Sequence, residues 1–210
     1  YIDVHHTYSI NVSPFLFFCF PFFQSPYTFT VGQFGRKGPS VWGQGSNTNN
    51  SIKEAHDITI VTAKINSRTK DVPQTFFIGT DGSKRAEKAA AWSVSRARAG
   101  DRLVLCHIRD EERESLGYDP NTIKSTFVAT HQRSLELKKI SWEVMYLPRD
   151  RIRRVADQLI AVARSIEIQA TYVVIGRDGA AAMKRAEKMS TGTTSDKIAN
   201  VCRCTTVVAA

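Results

Sequence analysis

Two short segments of this sequence combine residue types suited to holding an anion, Gly176-Arg-Asp-Gly179 and Gly192-Thr193. Glycine tolerates positive φ and lets a ligand approach the backbone closely. The first turn of a helix presents unpaired N–H groups and a partial positive charge. If Gly176 ends a strand and Thr193 opens a helix, N–H groups from both face one phosphate. The bare Gly-x-x-Gly pattern equally describes an ordinary turn. Asp81 follows another apolar run and is placed either to touch a ligand or to cap the helix that begins near Ser83. His107 lies in an apolar run and reads as a hydrogen-bonded core residue rather than a base, whereas His131 reads as exposed. No Lys-Thr or Lys-Ser follows a glycine loop, and no Ser-His-Asp or Cys-His set assembles, so an efficient NTPase is not expected. The four cysteines are Cys19, Cys106, Cys202 and Cys204. The Cys-x-Cys pair has no second pair and no nearby histidine, so no zinc framework emerges and the thiols read as those of a reduced intracellular protein.

The elements that must position these residues are legible from Thr75 onward. Thr75-Phe-Phe-Ile-Gly-Thr80 is a short apolar, β-rich run, and Asp81-Gly82-Ser83 supplies a turn and an N-cap. In Lys84 to Arg98 the residues Ala86, Ala89, Ala90, Val94 and Ala97 recur at helical spacing, with Gly100 as the stop. Arg102 to Ile108 is near-continuously apolar, the pattern of a strand covered on both faces. A helix over about Thr122 to Lys138 precedes a strand from Ser141 to Leu147, which Pro148 ends. A helix over Arg149 to Ile166, a strand over Thr171 to Ile175, a helix over Thr193 to Val201 and a strand over Thr205 to Val208 complete the series. A helical turn is also expected around Met183 to Glu187. Five strands alternating with four helices predict an α/β fold with a five-stranded, parallel, doubly wound sheet. Ligands of such sheets sit beyond the carboxyl ends of the strands, at a topological switch point.

The first 72 residues read as an N-terminal extension outside this domain, which spans 73–210. The extension is expected to be disordered or, as the opening Tyr in place of Met suggests, not native coding sequence. The apolar segment from Pro14 to Phe23 is broken by Pro21 and falls short of the roughly 20 residues of a membrane helix. No Lys or Arg precedes Arg36, so the basic start of a secretory signal is missing. From Gly32 to Ser51 the Gly, Ser, Asn, Gln and Thr composition cannot bury enough apolar surface to offset the cost of ordering the chain. Ile58 to Ala63 has the make-up of one short strand, its role left open. Across 210 residues, 29 Lys and Arg against 20 Asp and Glu give a formal charge of +9. The charge suits an anionic partner but is dispersed over helix faces. Nucleic-acid binding is not expected, because no recognition helix, zinc finger or aromatic platform accompanies it.

Phe77-Ile-Gly-Thr-Asp-Gly-Ser83, Leu103-Val-Leu-Cys-His-Ile108 and the stretch from Gly192 to Val208, with its Ser195-Asp196 pair and a Cys before the last strand, resemble the universal stress protein family. The resemblance covers Pro73 to Ala210 and implies a Rossmann-like domain of the adenine nucleotide alpha hydrolase type. It implies ATP as ligand, alone or with Mg2+, and at most slow hydrolysis. It also implies a cytoplasmic setting and a homodimer through the C-terminal edge strand. The family's nucleotide pattern is two glycines separated by two residues, then nine residues, then Gly followed by Ser or Thr. Gly176, Gly179, Gly192 and Thr193 match its residue types, but twelve residues separate Gly179 from Gly192. Carried over, the resemblance sets Asp81 beside the adenosine portion and the backbone of Ile108 against the adenine edge. A short insert costs little closure entropy and leaves both ends of the loop free to stay in place, while Asp178 adds a negative charge there. The alternative is a branch of the family that binds no nucleotide and acts as a dimeric interaction module.

Overall fold

A computed structural model describes residues 28–32, 59–63, 72–109, 111, 114, 119–177 and 193–209. Within 73–210 the five expected strands are present: β3 (Thr75–Gly79), β4 (Arg102–Ile108), β5 (Ser141–Leu147), β6 (Tyr172–Gly176) and β7 (Thr205–Ala209). They run parallel throughout, in the order β7-β6-β3-β4-β5. Between them stand α1 (Lys84–Arg96), α2 (Asn121–Lys138), α3 (Val155–Ala163) and α4 (Thr193–Val201).

The near-continuous apolar strands have both faces covered, as parallel sheets require. On one face Ala89, Ala90 and Val94 of α1 and Phe127 and Leu135 of α2 pack on Phe76, Ile78, Leu103 and Leu105. On the other face Leu159 and Ile160 of α3, Ile198 and Ala199 of α4 and Cys202 just after it pack on Phe77, Val104, Val173 and Ile175. Alternate residues of β3 and β4 thus serve opposite cores, which is the period-two rule of a strand.

Three expectations change. The helix expected over Arg149 to Ile166 is shorter, because its first residues form a bracketed turn. Asp150 Oδ1 accepts from the Ile152 and Arg153 amides, and the Gln158 side chain ties down Asp150 N–H and the Pro148 carbonyl. The segment before residue 73 also contributes to the sheet: β1 (Thr28–Gly32) pairs in parallel with β2 (Thr59–Ala63), and β2 pairs antiparallel with β7. In consequence β7, expected as the C-terminal edge strand, has a neighbour on both sides, β6 and β2. The reason is that β7 carries main-chain donors and acceptors on both flanks, and a nearby β-prone segment of the same chain satisfies the outer row.

Candidate functional site: the crevice at the carboxyl ends of β3, β4 and β6

The direction of the chain reverses beside β3. From β3 it proceeds through α1 to β4 and then β5, returns through α3 to β6 on the other side of β3, and ends at β7. The switch point therefore lies between β3 and β6, whose following helices α1 and α4 leave on opposite faces of the sheet. Asp81, Gly176 and the start of α4 all belong to this end of the sheet.

Asp81 stands half-buried in the turn from β3 to α1. Its Oδ1 accepts from the Ser83 amide at 3.0 Å, and Gly82 between them has φ 74°, a conformation that disfavours other residues. Ser83, rather than Asp81, is the N-cap: its Oγ accepts from the Ala86 amide at 3.2 Å. Asp81 fixes the turn that delivers this cap, just beyond the carboxyl end of β3.

Ile108 ends β4, half-buried against the α3 and α4 side. The preceding residues define its backbone direction. The Cys106 carbonyl accepts from the Thr80 amide, and the Arg109 amide donates to the Leu147 carbonyl. By alternation the Ile108 main chain faces β3, beyond the point where β3 turns away into Asp81. The next carbonyl of that turn, Thr80 O, is engaged by His107 Nδ1 at 2.9 Å. His107 is buried, its ring edge-on to Tyr146, so its role is to pin the β3 turn to β4. The rim beyond β4 is charged: Arg109 holds Glu114 through two hydrogen bonds and keeps that carboxyl below its usual range.

Gly176 closes β6, and its lack of a side chain has a packing reason. A Cβ there would lie 2.7 Å from the Arg85 carbonyl carbon and 2.9 Å from the Ala86 nitrogen. The glycine thus lets β6 press against the first turn of α1. Next to it, buried Arg177 donates its amide to the Ala209 carbonyl, and its own carbonyl accepts from Ser195 Oγ at 2.6 Å. That last bond joins the end of β6 to the first turn of α4 across the whole intervening loop. Thr193 is the first residue of α4. Gly179, Gly192, Asp178 and the helical turn expected around Met183 to Glu187 lie outside the described residues.

The structure therefore brings Asp81, Ile108, Gly176 and Thr193 to one end of the sheet. Arg177, Ser195 and His107 hold those pieces together through contacts that sequence reasoning did not assign to them. The Ser195-Asp196 pair was the one available signal for the first contact. Among the described residues no group of three or more His, Cys, Asp or Glu is arranged to hold a metal ion, and no helix is long and apolar enough to cross a membrane.

Comparison with known proteins agrees with this architecture. No curated protein matches the sequence. A universal stress protein from Archaeoglobus fulgidus superposes with a TM-score of 0.57 at 16% identity, over 87% of this chain and 60% of its own. This chain thus spans about three-fifths of that relative's length. A second one from Archaeoglobus fulgidus aligns at TM-score 0.44 and 17% identity over 66% of this chain and 100% of its own. Protein Rv1636 from Mycobacterium tuberculosis aligns at 0.39 and 16%, over 65% and 94%. The sequence profile of the universal stress protein family matches residues 74–210, the whole of the β3–β7 unit, and the chain belongs to that family.

Proposed function

We propose that this chain binds ATP, alone or with Mg2+, in the crevice between β3 and β6, and that it serves a stress-response or signalling role in the cytoplasm. Asp81 and the backbone of Ile108 would meet the adenosine portion. Gly176, Gly179, Gly192 and Thr193, at the end of β6 and the start of α4, would meet the phosphates, where N–H groups and the helix dipole favour anions. The observation that carries this reading is the Ser195–Arg177 hydrogen bond. It keeps the end of β6 and the start of α4 together, so the longer loop between Gly179 and Gly192 need not separate the two halves of a phosphate site. ATP would supply a charged ligand whose occupancy reports metabolic state, and any hydrolysis would be slow.

A second reading follows from the spacing itself, twelve residues in place of nine. Here the loop fills the crevice and the chain acts as an interaction module without nucleotide. Calorimetric titration of the full chain with MgATP separates the two, with Gly192→Val as control. A wild-type isotherm that the substitution abolishes supports the nucleotide site. Absence of binding up to millimolar ATP favours the interaction module, and binding that Gly192→Val leaves unchanged refutes this placement of the phosphates.

A further inference from the structure

The two strands that the N-terminal segment adds to the sheet repeat the pair that closes it. β1 (TFTVG) and β6 (YVVIG) both end in glycine, and β2 (TIVTA) and β7 (TTVVA) share Thr, Val and Ala at their first, third and fifth positions. Their pairings coincide as well. Thr28↔Thr59 through Gly32↔Ala63 in β1·β2 has the same direction and register as Tyr172↔Thr205 through Gly176↔Ala209 in β6·β7. The sequence between the strands follows suit. Gly32 and Gly35 are separated by two residues, and nine more lead to Gly45-Ser46, while Gly176 and Gly179 are followed after twelve by Gly192-Thr193.

The junction between the two pairs has its own symmetry. β2 and β7 run antiparallel with Ile60↔Val208, Val61↔Val207 and Thr62↔Thr206 opposed. Matching β2 to β7 residue by residue makes Ile60 the counterpart of Thr206, and Thr62 that of Val208. Exchanging the strands turns the pair Ile60↔Val208 into Thr206↔Thr62, which is present. The pairing is its own image about a two-fold through Val61 and Val207, as in an isologous contact between identical units. Val61 is buried there, in the same apolar cluster as Val207.

We propose that β1 and β2 are the closing strand pair of a second copy of the domain, and that β2 occupies, within one chain, the place on β7 that the last strand of another copy fits. A bare strand edge is a template for pairing with another chain. A second copy's β7 is a fitting occupant because it differs from β2 only at the second and fourth positions and would set Val207 against Val207. The chain thereby satisfies internally the edge through which it would otherwise self-associate. This inference stands on strand register and sequence and does not depend on nucleotide binding.

The test uses the full chain and two substitutions, with circular dichroism to report folding. Val61→Lys places a charge on the covered apolar face. Thr62→Pro disrupts the β2 main chain while leaving Val61 in place, and it carries the test should the lysine variant fail to fold. Sedimentation velocity and amide exchange of residues 205–209 are measured together. The expected result is a monomeric wild type with protected β7 amides, and folded variants that sediment as dimers and keep that protection through a second copy. Folded variants that stay monomeric with fast-exchanging β7 amides would overturn the second copy as occupant. Fast exchange of those amides in the monomeric wild type would overturn the seating of β2.

Discussion

Ser195 Oγ lies 2.6 Å from the carbonyl oxygen of Arg177, so a hydroxyl in the first turn of α4 closes the base of the loop that leaves β6. Both residues are buried, and a carbonyl stripped of its donor in such a place costs about 1–3 kcal/mol. Ser195→Ala is therefore expected to lower stability by about that amount in denaturant titration. Under the nucleotide reading it also weakens ATP binding, by roughly tenfold for each ~1.4 kcal/mol of misplaced phosphate contact. Unchanged stability would show that the bond does not hold the loop base.

Gly176→Ala tests the close approach of β6 to α1. The added Cβ meets main-chain atoms of Arg85 and Ala86 at under 3 Å, and these cannot swing aside as a side chain could. Overpacking of this kind costs about 1–3 kcal/mol. A midpoint shift of that size in thermal or urea unfolding is the expected outcome, whereas a neutral substitution would contradict the packing described.

At the opposite end of the sheet, buried Asp101 accepts from the amides of Gln74 and Arg98, each at 2.7 Å, and its carbonyl accepts from the Ser141 amide. It thereby ties the entrance of β3 to the α1–β4 turn and to β5. Charge-assisted bonds of this type are worth more than neutral ones, so Asp101→Ala should destabilise by about 2–3 kcal/mol and Asp101→Asn by less. Equal losses in the two variants would mean that the charge contributes nothing.

Burial pushes the Cys106 thiol up to about 12 and also raises the Tyr146 and Tyr172 hydroxyls above their usual range. These groups hold their protons more tightly in the folded state than in the unfolded one. Their contribution is complete below the unfolded thiol value, near pH 9, and is lost as the pH rises toward about 12. Stability measured by denaturant midpoint should fall across that alkaline interval. At neutral pH, iodoacetamide should modify half-buried Cys204 well before buried Cys106. Early alkylation of Cys106 in the folded protein would contradict its burial.

The strands and helices of 73–210 were legible because their signals are local. Apolar runs of strand length, the Ala stripe of α1 and the Ser83 cap each act within a few residues, and alternation of strand and helix then leaves few topologies. The short start of α3 was not legible, since the Gln158 side chain that brackets the turn at Asp150 reaches back from within the helix. Nor was the packing of Gly176 against α1. Its type suggested phosphate, while its neighbours Arg85 and Ala86 lie some ninety positions earlier in the chain.

The residue types at Asp81, Ile108, Gly176 and Thr193, and the order of elements that carries them to one end of a sheet, are properties of the sequence itself. Hydrophobic period and turn chemistry are written in neighbouring residues. The Ser195–Arg177 closure, the engagement of Thr80 by His107 and the seating of β2 on β7 were decided only by the tertiary structure. Each depends on which distant segments become neighbours, and a hydrogen bond or strand pairing between them leaves no periodic mark in either. The likeness of TIVTA to TTVVA was present in the sequence throughout, but it acquired meaning only when the two strands were found paired about Val61 and Val207.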